Sequence, residues 1–217
     1  MFYWLIKGIA WPIRLLYFRI EAEGVEHLPR RGGAIVIANH SSYLDAGILG
    51  SILPRKLHFI VLSSMYARWR LRWFYWGMDT IPVRRDRADP AAIRRALQVL
   101  SSGKVLGVFP EGGRSPDGRL QPPMLGAALL AARAGAWVVP AAISGAYGLF
   151  PPGRFWPRPG RIEVRFGEPF RFERPDGERL SRREIEEFGG RMMSAIAALL
   201  DEASAGAAPR TAEERGR

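Results

Sequence analysis

Cysteine is absent from this 217-residue chain, which excludes disulfides and thiolate metal sites and leaves its redox compartment open. Uninterrupted apolar stretches are scarce too. The opening run MFYWLIKGIAWPIRLLYFRI is broken by Lys7, Arg14 and Arg19 and weakened by Pro12, whereas a bilayer span needs about 20 mostly apolar residues. The same start lacks a basic leading region and a small-residue cleavage site, so a secretory signal does not fit. Ala134 to Gly153 is uncharged and long enough to span, but Pro140, Pro151 and several glycines favour a buried strand and loop. There is no internal repeat and no linker. The phosphate-loop pattern G-x-x-x-x-G-K-[ST] and recognisable nucleic-acid motifs are missing as well. Acidic residues are in deficit, 21 against 32 Lys plus Arg, for a net charge of +11. That excess favours an anionic partner without choosing among nucleic acid, lipid headgroup and phosphorylated substrate.

What is present fits one compact domain, since a single core grows to about 250–300 residues before chains split. Apolar, β-branched runs bounded by turn residues predict strands at 34–38, 57–62, 80–83, 105–109, 137–143 and 162–166, with 19–23 as a further candidate. Helices alternate with them. Asp89 and Pro90 read as N-cap and first helical residue of a helix closed by Gly103, with Ile93, Leu97 and Leu100 on one face. Pro122 and Pro123 open another, with Leu125, Ala128, Leu129 and Ala132 on its face and Gly135 at its end. Ser181 and Glu184 form a capping box before a third. Continuous apolar strands between helices predict an α/β fold, a sheet covered on both faces. Residues 203–217 are mostly Ala, Glu and Arg without periodicity and read as a disordered tail.

Five of the seven tryptophans, Trp4, Trp11, Trp69, Trp73 and Trp76, fall in two short segments that also carry Lys or Arg. Aromatics among basic residues suit a membrane interface, although any single Trp also fits a core. Residues 1–20 are therefore expected to form a helix pair or a broken helix on a membrane surface; a core-packed helix is the other possibility.

Two segments follow strands directly, where α/β sheets bind ligands. Asn39-His40-Ser41-Ser42-Tyr43-Leu44-Asp45 carries a histidine suited to general-base work on a hydroxyl, with a carboxylate to orient the imidazole and stabilise its cation. Within one regular helix, residues five apart point about 140° away from each other. The pair therefore requires His40 in a loop and Asp45 in the next helix's first turn, with Ser41 or Ser42 as N-cap. Taken alone, the pattern better fits a helix N-terminus in which Asp complements the dipole and His is a satisfied polar residue. His27 and His58 have no acid in a plausible register and read as structural. The second segment is Phe109-Pro110-Glu111-Gly112-Gly113-Arg114-Ser115-Pro116. Gly112 and Gly113 admit a close ligand or simply make a turn, Arg114 offers a planar fork for phosphate, and Glu111 holds a ligand hydroxyl or fixes Arg114. A third run, Ile81-Pro82-Val83-Arg84-Arg85-Asp86-Arg87, ends a strand in arginines, of which at least one fits a solvated charge run.

Together these blocks resemble the glycerolipid acyltransferase family typified by 1-acylglycerol-3-phosphate acyltransferase. Asn39–Asp45 match its His-x4-Asp block, Ile81–Arg85 its second block, Phe109–Ser115 its Phe-Pro-Glu-Gly-x-Arg-Ser block, and Val138–Pro140 its proline-containing fourth. Gly24–Pro29 resemble its opening turn and Ile162–Pro169 its last strand and turn. The blocks occur in the family's order over roughly residues 20–200, and their conjunction is far more specific than any one of them. One departure stands out: the family often has Thr where this chain has Gly113.

The resemblance implies a mixed central sheet flanked by helices, with interfacial membrane helices at the N-terminus (1–20), an acyltransferase domain (21–202) and a tail (203–217). It implies that His40 and Asp45 activate the acceptor hydroxyl. Arg85, Glu111 and Arg114, with Gly112, Gly113 and Ser115 in the same block, would bind the glycerol phosphate. The acyl donor would be a thioester on coenzyme A or acyl carrier protein, with no metal or prosthetic group and no nucleic acid. The acceptor would be the sn-2 hydroxyl of 1-acylglycerol-3-phosphate, giving phosphatidic acid. Anionic lipids would hold the protein as a monotopic enzyme on the cytoplasmic face. Two alternatives stay open: the same transfer to another lysolipid, such as an ornithine lipid or lysophospholipid, and a non-catalytic membrane or anion-binding module.

Overall fold

The computed structural model describes residues 2–66, 69–84, 89–173 and 180–206. Among them the chain order is α1 (Phe2–Leu16), β1 (Ile20–Glu23), a 3-10 turn (Val25–His27), β2 (Ala34–Ala38), α2 (Asp45–Ile52), β3 (Leu57–Leu62), α3 (Ser63–Tyr66) and α4 (Trp69–Gly77). It continues with β4 (Ile81–Val83), α5 (Pro90–Ser101), β5 (Val105–Val108), α6 (Leu125–Ala134), β6 (Trp137–Ser144), α7 (Ala146–Leu149), β7 (Ile162–Phe166) and α8 (Arg182–Gly206).

The seven strands form one sheet in the order β1-β7-β6-β2-β5-β3-β4. β2 runs parallel to both β5 and β6, and only β6 and β7 pair antiparallel. The sheet is thus mixed, as the resemblance implies. All five β2 residues are buried, because successive side chains serve opposite layers. Ala34, Val36 and Ala38 join one core with Ile48, Leu49, Leu53 and Phe59; Ile35 and Ile37 join the other with α5, α6 and α8 residues such as Ala96, Ala131, Met192 and Ile196. Pro140 tolerates its missing N–H because it stands between the isolated Val138–Phe170 bridge and the ladder to β7 that begins at Ala141.

The end signals act as expected in α5, where Asp89 accepts from the Ala92 N–H at 3.0 Å, and in α8, where Ser181 and Glu184 bond reciprocally. The buried face of α5 differs, centring on Ala92, Ala96 and Leu100 while Ile93 and Leu97 are half-buried. The helix after Pro122 and Pro123 starts only at Leu125. Met124 is extended at its cap, and the prolines belong to the preceding loop. Its buried face is shifted from the expected one: Ala128 and Ala132 are buried with Ala127, Leu130 and Ala131, while Leu125 and Leu129 are half-buried. α8 continues to Gly206 with Ala203 buried, so residues 203–206 of the expected tail are helical, and residues 207–217 lie outside the described chain.

The N-terminus is a single helix rather than a pair or a broken one. Contacts on both sides of Pro12 hold it against α2. Tyr3 Oη donates to the Gly50 carbonyl at 3.2 Å and Lys7 Nζ to Leu53 at 2.5 Å, and Arg14 reaches Ser51 at 3.5 Å. Lys7 and Arg14 thus face the C-terminal carbonyls of α2, where cations are favoured. Burial first, then Arg14, lowers the Lys7 pKa. Among the described residues no helix is long and apolar enough to cross a membrane.

Candidate active site

β2, β5 and β6 are adjacent, and β2 and β5 run parallel, so the loops leaving their carboxyl ends meet. His40 leaves β2 two residues after Ala38, and Glu111 follows β5 by three. His40 Nδ1 lies 2.8 Å from Asp45 Oδ2. An ionised carboxylate only accepts, so Nδ1 carries the proton and Nε2 keeps its lone pair for a substrate hydroxyl. The imidazole stacks on Phe109, with centroids 4.0 Å apart and planes 12° off parallel, and Phe109 stacks in turn on Phe59. Ring plane and tautomer are thus both fixed by the fold.

The bend that brings the pair together is not made by a serine cap. Leu44 occupies the N-cap of α2 without a side-chain bond, and Asp45, fully buried, opens the helix. Its Oδ2 also accepts the main-chain N–H of Ser41 and of Ser42, each at 2.8 Å, so one oxygen folds the loop and holds the imidazole. Ser42 Oγ instead donates to the Phe150 carbonyl at 2.8 Å and accepts the Leu44 N–H at 3.2 Å. The Tyr43 N–H meets the same Phe150 carbonyl at 3.3 Å, which ties the loop to the end of α7.

The second block is laced to the first. Glu111 is buried. Its Oε1 accepts the His40 N–H at 2.6 Å, and its Oε2 accepts the Gln121 N–H at 2.9 Å. Burial pushes the Glu111 carboxyl above the usual carboxylate range, against the opposing pull of those two N–H groups. Its contacts are therefore with the loop backbones, and none is with Arg114. Ser115, also buried, donates its N–H to the His40 carbonyl at 2.7 Å and its hydroxyl to Asp117 at 2.9 Å. Gly112 has φ +68, and a Cβ there would overlap Met124 Sδ; only glycine fits that turn. Arg114 is exposed, its guanidinium 4.0 Å above the Tyr43 ring. Gly113 lies half-buried between them. Arg85, with Asp86 and Arg87, lies outside the described residues.

Sequence reasoning left several contributors without a role. The Asn39 side chain donates to the Ile143 carbonyl at 3.0 Å and accepts the Ile143 N–H at 2.8 Å, pinning the end of β2 to β6. The roles of Gln121, Phe109 and the Phe150 carbonyl are likewise invisible in any local pattern, because their partners are distant in sequence. His27 and His58 both have acid neighbours that the sequence did not reveal. His27 Nε2 sits 3.1 Å from exposed Glu168, and His58 packs against Asp79, whose carboxylate pairs with Lys56. Among the described residues no group of three or more His, Asp or Glu could hold a metal ion.

Comparison with known proteins places these loops in context. The profile of the family described as Acyltransferase matches residues 19–144, more than half of the chain and all of the site. The chain is 33% identical over 140 residues to the chloroplastic 1-acyl-sn-glycerol-3-phosphate acyltransferase LPAT1 of Arabidopsis thaliana, covering 63% of this chain and 39% of that one. It is 28% identical over 151 residues to the 1-acyl-sn-glycerol-3-phosphate acyltransferase of Bacillus subtilis (strain 168), covering 69% and 73%. It therefore spans about two fifths of the length of the Arabidopsis relative and nearly three quarters of the Bacillus one. The crystal structure of the 1-acyl-sn-glycerophosphate acyltransferase PlsC from Thermotoga maritima superimposes with a TM-score of 0.74 at 26% identity, covering 93% of this chain and 79% of that one.

Proposed function

The chain belongs to the acyltransferase family, and on that premise we propose that it transfers an acyl group from a thioester to the sn-2 hydroxyl of 1-acylglycerol-3-phosphate, giving phosphatidic acid. The observation that carries this reading is the His40 Nδ1–Asp45 Oδ2 contact of 2.8 Å at the mouth of the sheet, joined through Glu111 to the loop that bears Arg114. Nε2 takes the hydroxyl proton as the oxygen attacks the thioester carbonyl. Asp45 stabilises the resulting imidazolium, and the tetrahedral intermediate expels the thiolate, which the imidazolium protonates. Arg114, with Arg85 in the neighbouring block, supplies cations for a phosphate monoester. Acyl-CoA and acyl carrier protein both fit as donors. The reaction calls for no metal or prosthetic group. The names of the relatives support the choice of acceptor.

The proposal extends to location: a monotopic enzyme on the cytoplasmic face, held by anionic lipid. In support, Trp4, Leu5 and Leu16 on α1 and Trp69, Trp73 and Trp76 on α4 are exposed, and Phe2 meets Trp73 edge-on at 5.7 Å, so the two helices share one aromatic surface.

Donor and acceptor profiling in mixed micelles tests the activity. Phosphatidic acid should form from 1-acylglycerol-3-phosphate and a long-chain thioester. Transfer to a lyso-ornithine lipid or lysophosphatidylcholine alone would replace the acceptor. No thioester-dependent transfer to any acceptor would leave a non-catalytic anion-binding module.

A further inference from the structure

The segment from Pro151 to Gly160, between α7 and β7, supplies no side chain to the catalytic loops described above. At its tip Phe155 and Trp156 are 83% and 74% exposed, and their rings meet edge-on at 5.3 Å. Two large aromatics standing clear of a surface lose apolar burial unless something covers them. Arg154 and Arg158 flank them, and among the described residues neither guanidinium is in an ion pair. The tip is nonetheless held firmly at its base. Tyr17, just beyond α1, donates its hydroxyl to the Pro157 carbonyl at 3.0 Å and accepts the Gly160 N–H on its own carbonyl at 3.2 Å, and the Arg158 N–H donates to Leu149 at 3.0 Å. Leu15, Leu16 and Tyr17, at the end of α1, are exposed beside that base. On its other side the segment grows from Phe150, whose carbonyl holds Ser42 and Tyr43 of the catalytic loop.

We infer that Phe155 and Trp156 form a second lipid-contacting point, which enters the interfacial region of an anionic membrane while Arg154 and Arg158 meet its headgroups. The inference rests on the membrane reading above and adds a contact beyond Trp4 of α1 and the tryptophans of α4. A lipid surface is favoured as occupant for three reasons. The aromatics project as a tip and do not line a groove. The free charges beside them are both positive, on a chain of net charge +11. The tip also continues the exposed apolar end of α1. A second fixed point, joined through Phe150 to the catalytic loop, would help set that loop's height above the lipid, where a lysolipid presents its hydroxyl.

The cysteine-free chain allows a direct test. The full-length protein carries a single environment-sensitive NBD label at W156C, at W4C on α1, or at S102C. Ser102 is exposed and precedes β5 at the opposite end of the sheet from the site. Each is mixed with vesicles of equimolar phosphatidylglycerol and phosphatidylcholine. The 156 label should shift its emission to the blue and be quenched by lipid spin-labelled near the headgroup, and the 102 label should do neither. Phe155→Ser/Trp156→Ser should weaken vesicle binding on the order of tenfold, with unchanged turnover of a short, monomeric acceptor. A 156 label that stays in water while the 4 label inserts overturns the second contact and leaves the α1 anchor standing. If neither inserts, the membrane reading falls with it. A 156 label that responds to an acidic carrier protein and not to vesicles assigns the tip to a protein partner and also overturns the inference.

Discussion

The main-chain N–H of His40 donates to Glu111 Oε1 at 2.6 Å across 71 residues of sequence. The proposed base and the loop that carries Glu111 and Arg114 are therefore one mechanical unit, because the carbonyl of the same residue is held by Ser115. A substituent that moves the Glu111 loop moves the imidazole as well.

Loss of the base is the most direct check. His40→Ala should fold normally and lose about 10²–10⁴ in kcat, the usual contribution of a general base. Asp45→Asn keeps an acceptor for the Ser41 and Ser42 N–H groups but loses the charge that stabilises the imidazolium, and should fall by a similar or smaller factor. Near-normal turnover by folded His40→Ala protein removes the mechanism.

Glu111 makes a prediction about pH. Its folded pKa lies above the ordinary value, so just above that value the native state holds more protons than the unfolded chain. By linkage the group's contribution to stability is present below the unfolded pKa and is lost as pH rises through the folded one. Thermal unfolding of wild type minus Glu111→Gln, followed across that window, should decline with rising pH. A flat or rising difference removes the assignment. Gln also offers only one acceptor to two N–H donors, so activity should fall together with about 1–3 kcal/mol of stability.

The Arg114 guanidinium sits 4.0 Å over the Tyr43 ring, a contact that would position the fork for the proposed phosphate. Arg114→Ala should raise the acceptor KM about 10–100-fold, equivalent to a lost charge-assisted bond of roughly 1.5–3 kcal/mol. Lys should rescue only in part, lacking the planar fork. Tyr43→Ala should raise the same KM only about two- to fivefold, matching a cation–π contact of roughly 0.5–1 kcal/mol, while Tyr43→Phe stays near wild type. A change in donor KM alone would move both residues out of the acceptor site.

Gly112→Ala meets two penalties, a left-handed φ of +68 and overlap with Met124. Left-handed backbone costs an alanine about 1–2 kcal/mol, and each kcal/mol lowers Tm by about 2–4 °C in a chain of this size. Calorimetry should show that loss, and acceptor binding should weaken as Met124 shifts. An unchanged Tm would mean that the turn relaxes freely.

Membrane tests are better made with surface substitutions than by deleting residues 1–20. Tyr3 is buried on α2, and its hydroxyl serves both Gly50 and Leu57, so deletion would uncover the core.

The sequence by itself determined the strands and the family. Runs such as Ala34–Ala38 and Leu57–Leu62 are β-branched, apolar and bounded by turn residues, and they became strands with those bounds because a segment buried on both faces needs no partner to declare itself. His40, Asp45 and Arg114 were legible from residue type and spacing, and their blocks carried the family resemblance. What Glu111 does was not legible: whether it bonds Arg114, a ligand or His40 depends on β2 and β5 being neighbours, a pairing between segments some 70 residues apart. The Asn39–Ile143 clamp, at a separation of 104, is of the same kind. Likewise Pro12 predicted a break that contacts with α2 on both sides override. Periodicity and capping report energies within a few residues along the chain. Which loops meet, and which helix stays whole, was decided only in the tertiary structure, where burying both faces of one sheet fixes the strand order.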